Sequence, residues 1–143
     1  LEQARRVARL VYAWSAATGV ILSAAMWLGQ NLVVRLLLPP SAGGIFFSAW
    51  LMAVVFQPIN ALAFASDGIH WGTGDFRFLR NVMIAATTFG GIAIYLLDET
   101  VSGALMWIWL ITGCWITIRA GFGVLRIWPG IGKSPLRKVT KVN

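Results

Sequence analysis

The 143-residue chain is short of charge. Asp, Glu, Lys and Arg make up 12% of it, where a soluble domain carries about 25%. So few charges cannot cover a water-facing surface of this size, which excludes an ordinary soluble enzyme. With 58% apolar residues the chain also falls outside the composition of disordered segments. One cysteine, Cys114, excludes a disulfide within the chain. It lies inside an apolar run and reads as a small core residue. Acids are scarcest, five against twelve Lys and Arg, for a formal net charge of +7. That excess would suit a nucleic-acid partner, but the bases sit in short clusters between long uncharged stretches. Loops flanking membrane spans look like this; a nucleic-acid groove interleaves bases with aromatics. No Gly-rich phosphate loop, metal-ligand cluster or nucleophile elbow is found, so no metal or cofactor is expected.

What is abundant is apolar bulk. There are eight Trp, eight Phe and two Tyr, and the mean hydropathy is +0.74. A bilayer crossing needs about 20 mostly apolar residues, and four stretches satisfy this. In lipid such runs form helices, which satisfy their own backbone groups, and the alternation of a barrel strand is missing. The expected fold is all-α, a polytopic membrane bundle with helices at about 8–29, 44–71, 78–97 and 101–121, and a basic tail over 126–143. Pro39-Pro40-Ser41 marks the start of the second helix, with Ser41 as its cap. The chain begins with Leu1, and Arg5, Arg6 and Arg9 lead into a full-length span rather than a cleavable signal. It reads as the C-terminal part of something longer.

Loop charge sets an orientation. With the N-terminus in the cytoplasm, the inner segments hold Arg5, Arg6, Arg9, Arg77, Arg80, Arg126, Lys133, Arg137, Lys138 and Lys141. The outer segments hold Arg35 with Asp98 and Glu99. The positive-inside rule then places both ends in the cytoplasm, in the plasma (inner) membrane. Arg119, inside the fourth span, is expected to snorkel to the interface.

The second span carries the polar residues. Helical spacing puts Trp50, Gln57, Asn60, Phe64, Asp67 and Trp71 on one stripe. Pro58 cannot bond to the Val54 carbonyl, so a kink and a freed acceptor are expected beside Gln57 and Asn60. An ionised Asp67 at the bilayer centre would cost about 2.5–3.5 kcal/mol; it faces either a bundle interior or ion pathway, or water at the inner interface. Gln57 and Asn60 serve either a substrate or a helix–helix hydrogen bond. Gly68 and Gly72 form a small-residue pair of the kind that brings helices close, with Gly19, Gly90 and Gly91 elsewhere. His70 and Asp75 have the spacing of membrane acyltransferases, and Gly72-Thr73-Gly74-Asp75 the form of intramembrane aspartyl proteases. The first should sit in a soluble catalytic lobe, and the second needs a partner carboxylate that loop charge places across the membrane. His70 reads more simply as an interfacial residue at a helix end.

The run Gln57-Pro58-Ile59-Asn60-Ala61-Leu62-Ala63-Phe64, then Asp67-Gly68, Gly72 and Asp75-Phe76, resembles the multidrug and toxic compound extrusion (MATE) family. It is most similar to the branch holding DNA-damage-inducible bacterial exporters and plant citrate exporters. Ile118-Arg119, Gly121-Phe122, Arg126 and Gly130 resemble the close of that family's twelfth helix. Ala65-Ser66 and Arg77 depart from the family's usual residues. The resemblance implies the last four helices of a twelve-helix, two-lobe secondary antiporter. Such a protein exports small organic molecules against H⁺ or Na⁺, with the remaining eight helices, the lipid bilayer and the small-molecule substrate as partners. Gln57, Asn60 and Asp67 would then line the substrate or ion pathway, with Pro58 as the kink. The competing functions are a membrane-embedded acyltransferase-like enzyme using His70 and Asp75, and a lipid-linked oligosaccharide flippase of the same superfamily.

Overall fold

A computed structural model describes residues 1–128 and 132–136. Arg137, Lys138 and Lys141 of the basic tail, and Gly130 of the closing motif, lie outside the described residues. The structure is helical, with α1 at Glu2–Leu37, α2 at Gly43–Gly72, α3 at Phe76–Tyr95 and α4 at Ala104–Ile127. All four are long and apolar enough to cross a membrane.

The bounds depart from expectation where local chemistry competes. Helix α1 has 36 residues, about 54 Å at 1.5 Å per residue, against a hydrocarbon core of about 30 Å. Arg5 and Arg6, ahead of the expected start at about residue 8, are thus helical as well. Pro40–Ala42 form a 3₁₀ turn and α2 starts at Gly43, so Ser41 is not its cap. Helix α4 starts after 101 because the Asp98 carboxylate accepts from the Thr100 N–H and hydroxyl in a tight turn, and Gly103 leads in at φ +80°. It continues through Gly121 to Ile127.

Chain order is not spatial order. Helix α2 packs against α1 on one flank and α4 on the other, while α3 packs mainly on α4 and meets α2 only sparingly. The helices therefore stand in the order α1, α2, α4, α3. Close approach is made at glycines. A Cβ on Gly19 would lie 2.7 Å from the Pro58 Cα, and one on Gly113 2.2 Å from the Phe56 ring. Gly90 sits under Trp115. Gly68, Gly72 and Gly91 do not take this role, since a Cβ on any of them would meet nothing within 4 Å. Cys114 is exposed on α4 rather than in the core.

The described part of the tail folds back. Leu136 packs with Ala8 and Ile127, and its carbonyl accepts from Arg5 Nε at 2.9 Å.

Candidate functional site

The site is built on α2 around its proline. Helix α2 runs unbroken through Pro58, whose ring nitrogen has no hydrogen for the Val54 carbonyl. That carbonyl, on a buried residue, accepts instead from Ser23 Oγ of α1 at 2.8 Å. Gly19, one turn away from Ser23, lets α1 lie against Pro58 and Ala61. The freed acceptor is thus met by protein. On the same flank Trp50 Nε1 donates to the Met26 carbonyl at 3.0 Å.

The opposite flank of α2 meets α4 through Phe56 on Gly113 and Ser66 on Gly123. Between the two flanks one furrow stays open, and the polar stripe lies in it. Gln57 and Asn60 are half-buried, and Phe64 is 63% exposed. On the α4 side the two amides line a recess of about 280 Å³ with Met26, Met52, Phe56, Trp109 and Thr112. On the α1 side they line a second, of about 370 Å³, with Trp14, Ser15, Thr18 and Phe64. Neither amide has a hydrogen-bond partner among the described residues.

Below Asn60 the stripe becomes charged and closed. Asp67 accepts from Arg119 Nη2 of α4, and both side chains are mostly buried. Arg119 also lies over the Phe64 ring, 5.5 Å from its centroid, while its Nε has no partner. Arg119 therefore does not snorkel; it turns inward because a carboxylate on the neighbouring helix replaces the water it would otherwise reach. Ser66 Oγ donates to the Leu62 carbonyl, so its contact with Tyr12 of α1, at 2.8 Å, has the phenol as donor.

A second ion pair ties the α2–α3 turn to the end of α4. Gly74, at φ +73°, makes the turn that only glycine adopts readily. Asp75 then receives Arg126 in a two-pronged contact, 2.9 Å from Nε and 3.3 Å from Nη2. Arg126 stacks on Phe78 at 4.8 Å. His70, two residues before the end of α2, is fully buried within the protein. Its Nε2 meets the Gly123 carbonyl at 3.3 Å. Its Nδ1 lies 3.4 Å from Asp75 Oδ2 without hydrogen-bond geometry.

Of the residues singled out from sequence, Gln57, Asn60 and Asp67 do share one face of α2, and Pro58 sits among them. Sequence reasoning missed Tyr12 and Ser23, and it named Arg126 without its partner Asp75. A hydroxyl on a neighbouring span was the available signal for Ser23, but its register against Pro58 needs the packed structure. No group of three His, Cys, Asp or Glu is placed to hold a metal ion among the described residues.

Comparison with known proteins finds distant relatives over about half of the chain. Over 76 residues, 53% of the chain, it is 30% identical to Protein DETOXIFICATION 43 of Arabidopsis thaliana. It matches Protein DETOXIFICATION 42 of the same plant at the same identity and length. The match spans 14% of the length of each of these relatives. No family model matches the chain, and no solved structure matches it significantly. The four apolar helices support a multi-pass membrane protein.

Proposed function

We propose that this chain forms the last four helices of a twelve-helix secondary antiporter, of the MATE type, that exports small organic molecules in exchange for H⁺ or Na⁺. The observation that carries this reading is the unpartnered amide pair, Gln57 and Asn60, held half-buried in a furrow at the middle of a proline-containing helix. Polar groups at membrane depth are expensive unless paired or facing a cavity. These two face recesses, beside a backbone whose own loose acceptor is already met by Ser23. Transporters build their midplane sites where a helix backbone is disturbed; Pro58 leaves α2 continuous but short of one backbone bond beside these amides. Asp67 is the adjoining carboxylate of the pathway, carried on the same face and tied to Arg119. In this reading both ends of the segment are cytoplasmic, which the loop charge supports, and the membrane is the plasma membrane.

The enzyme reading gains no support from His70. A general base must reach the proton it abstracts, and this ring is fully buried, with Nε2 on a carbonyl and Nδ1 facing Asp75. A flippase cavity lined with arginine is not supported by Arg119, which turns onto Asp67.

The test is substrate efflux from proteoliposomes holding the protein that carries this chain. Gln57→Ala with Asn60→Ala should lower transport by about tenfold, the worth of one or two lost hydrogen bonds, with the protein still folded. Full efflux with unchanged ion dependence would remove these residues from the pathway.

A further inference from the structure

A second cleft lies away from the furrow, where α2 hands over to α3. It encloses about 380 Å³ and is lined by Trp71, Phe76, Arg77, Leu79, Arg80, Met83 and Ile84. Its chemistry is divided along its length. Arg77 and Arg80 stand exposed in the first turns of α3. Arg77 has no hydrogen bond or ion pair among the described residues. Arg80 touches only the neutral Asn81 Oδ1, from Nε at 3.3 Å and Nη2 at 3.2 Å. Neither guanidinium has an acid among the described residues, and Asp75, two positions before Arg77, is taken by Arg126. The rest of the cleft is apolar and open. Trp71 is 63% exposed and Phe76 52%, their rings edge-on at 5.4 Å, and Met83 and Ile84 continue the surface toward the body of α3.

We propose that this cleft holds one anionic phospholipid, its phosphate on Arg77 and Arg80 and an acyl chain along Met83 and Ile84, with Trp71 and Phe76 beside the glycerol. The charge selects the ligand. Two guanidinium groups without acids at the end of a membrane-crossing helix match a phosphodiester, which accepts from Arg in a fixed fork. The exposed Trp71 is the residue type that settles at the headgroup level, and the Phe76 ring adds apolar surface beside it. The apolar run below them matches a lipid tail, which a free phosphate would leave unused. The site stands apart from Gln57 and Asn60 and does not depend on the transport reading.

The test uses the detergent-purified protein that carries this chain and native mass spectrometry with added phosphatidylglycerol or phosphatidylcholine. Phosphatidylglycerol should bind more tightly. Arg77→Gln with Arg80→Gln should weaken it by about thirtyfold, on the order of fivefold for each basic residue at an anionic surface. Arg77→Lys with Arg80→Lys should keep most of the affinity. Phosphatidylglycerol brominated in its chains should quench emission that disappears in Trp71→Phe. Equal binding of the two lipids, or a glutamine pair that binds as wild type, would overturn the proposal. So would competition by inorganic phosphate with no quenching, which would mark a phosphate site. A cross-link from Met83→Cys to another helix of the same protein would show that protein fills the cleft. Thermal unfolding in phosphatidylcholine nanodiscs separates lost binding from lost folding, because the lysine and glutamine pairs should unfold alike there.

Discussion

The two halves of α2 treat polarity in opposite ways. Around Pro58 the backbone's missing bond is supplied from α1, yet Gln57 and Asn60 are left open toward two recesses. From Ser66 to Asp75 nearly everything polar is closed. Tyr12, Arg119, Gly123 and Arg126 reach in from α1 and α4, and the acids each hold an arginine. The contrast separates two uses of a buried polar group. Paired groups fix how helices register against one another; the unpaired amides keep their donors and acceptors facing the recesses, which is what the proposed pathway needs.

The largest effect should come from opening the closed half. Asp67→Ala leaves Arg119 mostly buried without its acid, and breaking one side of a buried pair costs about 3–5 kcal/mol. Replacing both, Asp67→Leu with Arg119→Met, should recover most of that loss, since a pair of similar volume without charge is often no less stable. Chemical denaturation in one detergent checks both. If the double variant unfolds as easily as Asp67→Ala, the pair does more than cancel its own burial cost, and the division between the two halves fails.

Next in size is the α1–α2 seam beside the open half. Gly19→Ala drives a methyl to 2.7 Å from the Pro58 Cα, a backbone atom that cannot swing aside. Overpacking of this kind costs about 1–3 kcal/mol. Gly68→Ala, in the other half of α2, meets nothing within 4 Å and should leave stability within experimental error. Equal losses in the two variants would mean that another part of the protein covers Gly68.

The four spans, their helical class and the shared face of Gln57, Asn60 and Asp67 were legible because period and hydropathy act along one helix at a time. The partner of each polar residue was not. Arg119 was expected to snorkel because a lone helix offers it only water; Asp67, 52 positions away, becomes its partner only when α4 inserts beside α2. The Gly68–Gly72 pair misled for the same reason. The spacing that permits close packing does not say whether a neighbour stands there, and the contacts fell to Gly19 and Gly113 instead. Ser41 failed as a cap because two prolines hold the chain in a 3₁₀ turn through it.

A smaller effect tests how the open half is closed at its backbone. Ser23→Ala removes the donor to the Val54 carbonyl and should cost about 1 kcal/mol, near the upper range for hydrogen bonds between membrane helices. In a Pro58→Ala background the new alanine supplies its own N–H to that carbonyl, so the same serine change should cost little. A double-mutant cycle reads the difference. A serine effect that is the same with and without the proline would show that Ser23 does not stand in for the missing bond.

The smallest effect lies outside both halves, in the α3–α4 loop, and is a matter of pH. The Asp98 carboxylate sits below its usual value of 3.8, chiefly because the Thr100 hydroxyl donates to it and then because the Thr100 N–H does. A carboxyl lowered by folding contributes stability that is fully present above the unfolded value and is lost as pH falls through the folded one. The contribution is therefore complete at neutral pH and fades only in acid. Asp98 is fully exposed, so solvent screens it and the effect on unfolding should be slight. Thr100→Ala removes the hydroxyl and keeps the N–H. The carboxyl should then titrate at a higher pH, still below its usual value, in a ¹³C NMR titration. An unshifted titration would mean that the Thr100 hydroxyl has no part in the turn before α4, and that the N–H at 100 alone holds the Asp98 carboxylate.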